Sequence, residues 1–129
     1  MIAVDTNVLL RALVDDHAAP GQCAAARTLL ASASKVRVAP IVFMETLWVL
    51  HKRYQAPRRE VARIARELLE HPRYQIENRE PLNEALAIFT GSNVDFADAV
   101  ALTDARHTQC VLHTFDRKLA KLDGAVVVG

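Results

Sequence analysis

Apolar positions change their period repeatedly along this chain, and the changes mark its elements. Ile2 to Val4 is a short apolar run that reads as a buried strand stopping at Asp5. Val8, Leu9, Ala12 and Leu13 then follow helical spacing until Asp15, Asp16 and His17 break it. Pro20 suits a first helical turn and opens a second helix running to about Ser34. Val36 to Ala39 predicts a second strand, and Pro40 opens a long helix ending near Tyr54. Another helix follows Pro57, with Val61, Ile64, Ala65, Leu68 and Leu69 on its apolar side. The remaining pattern gives a strand over Tyr74 to Glu77, a helix from about Pro81 to Phe89, and a turn at Gly91, Ser92 and Asn93. Asp95 to His107 reads as a helix, Cys110 to His113 as a strand, Arg117 to Leu122 as a short helix and Ala125 to Val128 as a last strand. Strands and helices interleave from end to end, so the expected class is α/β with a short-stranded, largely parallel sheet covered by helices. The helix-heavy stretch from 40 to 107 argues against a regular alternation.

Length and composition narrow the class. At 129 residues and 51% hydrophobic, the chain can fill one core, so 1–129 is expected to be a single domain and disorder is excluded. No unbroken apolar run approaches the roughly 20 residues of a membrane span. The opening Met-Ile-Ala-Val-Asp has no basic stretch before its apolar residues, which speaks against a secretory signal. Cys23 and Cys110 stand far apart with no metal-binding spacing, as suits a reducing compartment. A cytoplasmic location is therefore expected. Sixteen basic residues against fifteen acidic ones give a formal charge of +1, which does not announce a nucleic-acid binder.

Four acids stand where functional chemistry can collect. Asp5 ends the first strand and Asp116 closely follows the fourth, and sites in α/β sheets gather beyond the carboxyl ends of strands. Either acid could equally cap the helix after it. Glu45 has Ile41, Val42, Trp48 and Val49 as helical neighbours, so it is expected to point inward, needing a basic side chain or a cation. Asp98, among Val94, Ala101 and Leu102, poses the same question, while Asp95 three residues earlier suits a cap and Asp104 a solvated position. Should all four inward acids converge, they cannot all ionise without compensation. A hard cation such as Mg²⁺ or Mn²⁺ fits carboxylate oxygens and would serve phosphodiester or phosphomonoester hydrolysis.

The segments V-D-T-N-V-L-L-R-A-L (4–13), E-T-L-W-V-L (45–50), V-D-F-A-D-A (94–99) and H-T-F-D-R-K (113–118) resemble, in order and spacing, the PIN-domain ribonucleases, specifically VapC-type toxins. The resemblance spans essentially the whole chain. It implies a three-layer α/β/α fold and a quartet of Asp5, Glu45, Asp98 and Asp116 holding Mg²⁺ or Mn²⁺, with Thr6, Asn7 and Thr114 as polar residues beside the site. It further implies hydrolysis of RNA to 5′-phosphate and 3′-hydroxyl ends, a small antitoxin partner and a homodimer. Two departures are local: His107-Thr108-Gln109-Cys110 lacks an expected turn glycine, and Pro40 replaces a small hydroxyl residue.

Charge and aromatic content shape the expected RNA contact. Lys52, Arg53, Arg58, Arg59, Arg63 and Arg66 crowd one region, but Glu67 and Glu70 can make it an ordinary solvated face. Arg117 and Lys118 beside Asp116, and Arg11 near Asp5, are better placed to meet a strand. Aromatic residues are only 5% of the chain, so stacking platforms are scarce. The five histidines show no ligand spacing, and Trp48 is expected in the core or an interface. Two rivals stand beside the nuclease: a receiver-like signalling domain, and a binding module on a related fold without turnover.

Overall fold

The computed structural model describes all 129 residues, which form two compact units, Met1–Glu77 and Asn78–Gly129. The first carries β1 (Ile2–Ala3), α1 (Thr6–Leu13), α2 (Pro20–Ser32), β2 (Val36–Arg37), α3 (Pro40–Lys52), α4 (Arg58–Glu70) and β3 (Tyr74–Gln75). Its sheet runs β1-β2-β3, all parallel, with Ile2 opposite Val36 and Val36 opposite Tyr74. Each crossover holds two helices, which is why a regular alternation is absent. Pro20 and Pro40 occupy first helical turns, where their missing N–H is no loss. The core gathers Leu9, Val36, Val38, Leu47, Leu50 and Ala65, each at most 1% exposed. On α4 the buried residues Val61, Ala62, Ile64, Ala65, Leu68 and Leu69 recur at three- and four-residue spacing, as their pattern predicts.

The second unit carries α5 (Arg79–Thr90), α6 (Phe96–His107), β4 (Leu112–Thr114), α7 (Arg117–Ala120) and β5 (Ala125–Val127). Strands β4 and β5 pair in parallel, with Thr114 opposite Val127. Helices α5 and α6 pack through Leu82, Ala85, Leu86, Ala99 and Leu102, and Phe89 meets Phe96 edge-on at 5.8 Å. Helix α5 begins two residues before the proline expected to open it. Pro81 is its third residue, still among the first-turn amides that lack intrahelical partners, so the ring breaks no hydrogen bond. The α/β class with parallel strands is as expected. No helix is long and apolar enough to cross a membrane.

Two turns hold the second unit's strands in place. Gly124, at φ +94°, takes a backbone that other residues rarely adopt, and a Cβ there would meet Arg106 at 3.3 Å. That arginine donates from Nε to the Asp123 carbonyl at 2.9 Å, tying α6 to the start of β5. At the turn where the sequence lacks its expected glycine, Gln109 sits at φ 58°. A left-handed backbone disfavours a residue with a Cβ by about 1–2 kcal/mol. Gln109→Gly should therefore stabilise the protein by about 0.5 kcal/mol or more after the entropic cost of glycine. Chemical denaturation of the two proteins measures this, and an unchanged or lowered midpoint would contradict it.

Candidate functional site

In the first unit the site residues collect at the end of β1 and on α3. Asp5 is the N-cap of α1, its Oδ1 accepting the Val8 N–H at 3.0 Å. That bond uses one carboxylate oxygen. Thr6, the next residue, donates from its hydroxyl to Glu45 Oε1 in a short hydrogen bond that links α1 to α3. The expectation that Glu45 points inward is not met. It is exposed, and its neighbours Ile41 and Trp48 are exposed too, at 69% and 55%. The buried stripe of α3 is instead Phe43, Thr46, Leu47 and Leu50. Trp48 is thus outside the core. Asn7 is exposed and lines a cavity of about 280 Å³ together with Val8, Arg11, Gln22, Ala26 and Leu29.

Arg11 has a different position from the one its sequence neighbours suggested. Its Nε donates to Gln22 at 2.9 Å, and its Nη1 donates to Tyr54 Oη at 2.8 Å and to Asp16 at 3.0 Å. Its side chain is only 20% exposed. The Ala18 N–H, the Tyr54 hydroxyl and the Arg11 guanidinium together hold the Asp16 carboxyl below its ordinary value. This geometry makes Arg11 a structural tie rather than a residue free to meet RNA.

In the second unit three acids interact. Asp116 is the N-cap of α7, with Oδ1 accepting the Lys118 N–H at 2.8 Å and the Leu119 N–H at 3.2 Å. Thr114 fixes the same loop, its hydroxyl accepting the Asp116 N–H at 3.0 Å. Asp98, half-buried in the first turn of α6, has its carboxyl raised above the ordinary value. Partial burial is the main cause, followed by the charges of Asp95 and Asp116. Asp95 stands at the N-cap position of α6 but its side chain makes no capping hydrogen bond. The assignment of Asp95 to capping is therefore corrected: it is an acid acting on Asp98. The three-residue spacing on one helix turn was the signal for this. Asp104 is exposed, as expected.

None of the six ion pairs involves Asp5, Glu45, Asp98 or Asp116. Neither unit by itself gathers three carboxylate, histidine or cysteine side chains close enough to hold a metal ion. The donor chemistry nevertheless fits a hard cation. All four groups are carboxylates, the hydrogen bonds of Asp5, Glu45 and Asp116 leave a second oxygen on each, and Asp98 is burdened by neighbouring negative charge. Arg117 and Lys118 are both exposed beside Asp116.

The PIN-domain family model matches residues 2–125. The chain belongs to the PIN-domain family. This membership sets aside the receiver-like alternative. Among solved structures, the PIN-domain chain is similar to VapC20 of Mycobacterium tuberculosis, a toxin that cleaves the sarcin–ricin loop, at 19% identity over 94% of each chain with a TM-score of 0.48. It is also similar to a toxin–antitoxin complex from Klebsiella pneumoniae, at 20% identity over 97% of this chain and 94% of that one, with a TM-score of 0.36. No curated protein matches it.

The acid cluster of the second unit yields a test that needs no substrate. A carboxyl raised on folding is more easily protonated in the folded state, so the protein gains stability as pH falls through that raised value. At neutral pH the ionised Asp98 is a liability. Asp98→Asn should raise the melting temperature of metal-free protein at pH 7, and this advantage should vanish by about pH 4, the ordinary carboxylate range. Asp95→Asn should give a smaller rise, because it removes one of two repelling charges. Melting curves from pH 4 to 7 check both, and a lower melting temperature for Asp98→Asn at pH 7 would contradict the repulsion.

Proposed function

We propose that this PIN-domain protein is a Mg²⁺- or Mn²⁺-dependent endoribonuclease, the toxin of a VapC-type toxin–antitoxin pair. The observation that carries the reading is the set of motif acids left without cationic partners inside a family match that spans nearly the whole chain. In this reading Asp5, Glu45, Asp98 and Asp116 hold the cation and form the catalytic set. A bound divalent cation activates water and neutralises charge developing on phosphoryl oxygens.

The chain's own residues have separable tasks. The amides of α7 orient Asp116 through Oδ1, so its other oxygen is presented in a fixed direction. Val8 does the same for Asp5. Thr6 restricts Glu45, a long side chain that would otherwise sample many rotamers, to one arrangement. Asp98, with its raised affinity for protons, is the acid most in need of compensating charge. Arg117 and Lys118 supply positive charge for the RNA backbone on the residues after Asp116. A small antitoxin, a homodimeric state and a cytoplasmic setting complete the proposal. The family resemblance supports them, and the exposed Ile41 and Trp48 offer apolar surface for one such contact.

RNA cleavage by the purified chain should disappear in excess EDTA and return with Mg²⁺ or Mn²⁺, leaving 5′-phosphate ends. Undiminished cleavage in EDTA would overturn the metal mechanism. No cleavage of any bacterial RNA under either condition would favour the non-catalytic module. Expression of the chain alone should also arrest growth, and co-expression of an adjacent small gene should relieve the arrest. Normal growth with cleavage-competent protein would remove the toxin role and leave the nuclease.

A further inference from the structure

Phe115 lies between Thr114 and Asp116 and is 81% exposed, more than any other aromatic side chain in the chain. A ring so exposed contributes little to the core, since the hydrophobic effect rewards only area removed from water. It is also not at the tip of a loose loop. On one side the Thr114 carbonyl accepts the Val128 N–H at 2.8 Å, and the Thr114 hydroxyl accepts the Asp116 N–H at 3.0 Å. On the other side the α7 amides hold Asp116. The segment therefore presents an aromatic face to solvent from a backbone fixed on both sides. Its chain neighbours His113, Asp116, Arg117 and Lys118 are all exposed and polar. An isolated ring with basic residues beside it is the combination that binds single-stranded nucleic acid, with bases on the ring and phosphates on the charges.

We infer that Phe115 is a substrate-contact residue on which a base of single-stranded RNA stacks, next to the phosphodiester to be cut. The inference rests on the ribonuclease reading. Adjacent residues have Cα atoms about 3.8 Å apart, so a base held by Phe115 lies within a nucleotide's length of Asp116. Sequence alone pointed away from stacking because aromatic content is low. What matters is that one ring is exposed beside a motif acid.

The test uses the full chain and total bacterial RNA as the probe, with Mg²⁺ and initial rates read at several RNA concentrations. Phe115→Ala should lower kcat/KM by roughly 5-fold to 100-fold, the range seen when one stacked base loses its platform. The loss should fall mainly on KM, since the interaction serves binding. Phe115→Trp should restore most of the loss, and Phe115→Leu, which is apolar but lacks a π face, should not. Melting temperatures should agree for all four proteins. Equal rates for the parent and Phe115→Ala would overturn the inference while leaving the nuclease intact. Rescue by leucine as complete as by tryptophan, or a change of oligomeric state in Phe115→Ala by gel filtration, would also overturn it by making Phe115 a protein contact. A parent that cleaves no RNA would remove the ribonuclease reading itself.

Discussion

The partial burial of the Asp98 carboxylate, made costlier by neighbouring acids, is the constraint that the second unit must accommodate. Asp98 is partly buried and feels both Asp95 and Asp116, so folding brings negative charges together instead of separating them. Such an arrangement persists only where the surrounding structure over-determines it. Helices α5 and α6 supply that, closing over Phe89, Phe96, Ala99 and Leu102, and the Arg106 tie to Asp123 fixes the far end of α6. Apolar packing on one face of α6 thus holds in place an acid that packing alone would not select.

Capping and the proposed metal role are compatible readings of Asp5 and Asp116. An N-cap carboxylate accepts an amide N–H with one oxygen. In both residues that oxygen is Oδ1, and the helix that begins there becomes the device that aims the other oxygen. Glu45 reaches a similar state by another route. It lies in mid-helix, where no amide is free, and the Thr6 hydroxyl takes the place of the amide.

Local pattern carried most of the fold and only part of the site. All seven helices and five strands were legible, because proline at helix starts and three- to four-residue apolar spacing are local signals. Strand ends were less so, as Cys110 and Val111 read as strand yet β4 starts at Leu112, after the left-handed Gln109. Glu45 misled because helical neighbours tell which residues share a face but not which face is covered. Two apolar stripes run along α3, and the one with Phe43 and Leu47 is buried. Asp95 misled because aspartate before a helix normally caps it, whereas here the backbone takes the cap position and the side chain does not bond. Arg11 depended on Tyr54, far along the chain, which no spacing rule connects to it.

Five of the arginines are occupied by acceptors other than the motif acids. Arg11 is bound to Asp16, Arg27 to Asp15, Arg37 to Glu77, and Arg63 to both Glu60 and Glu67. Arg106 is bound to a backbone carbonyl. A guanidinium paired with Asp98 or Glu45 would relieve their charge permanently and compete with any mobile cation for the same oxygens. With each of these arginines on its own acceptor, none of them pairs with a motif acid. For exposed pairs such as Arg27–Asp15 the gain in stability is small, about 1 kcal/mol or less. Their larger consequence is that these five guanidiniums are engaged by acceptors other than Asp5, Glu45, Asp98 and Asp116.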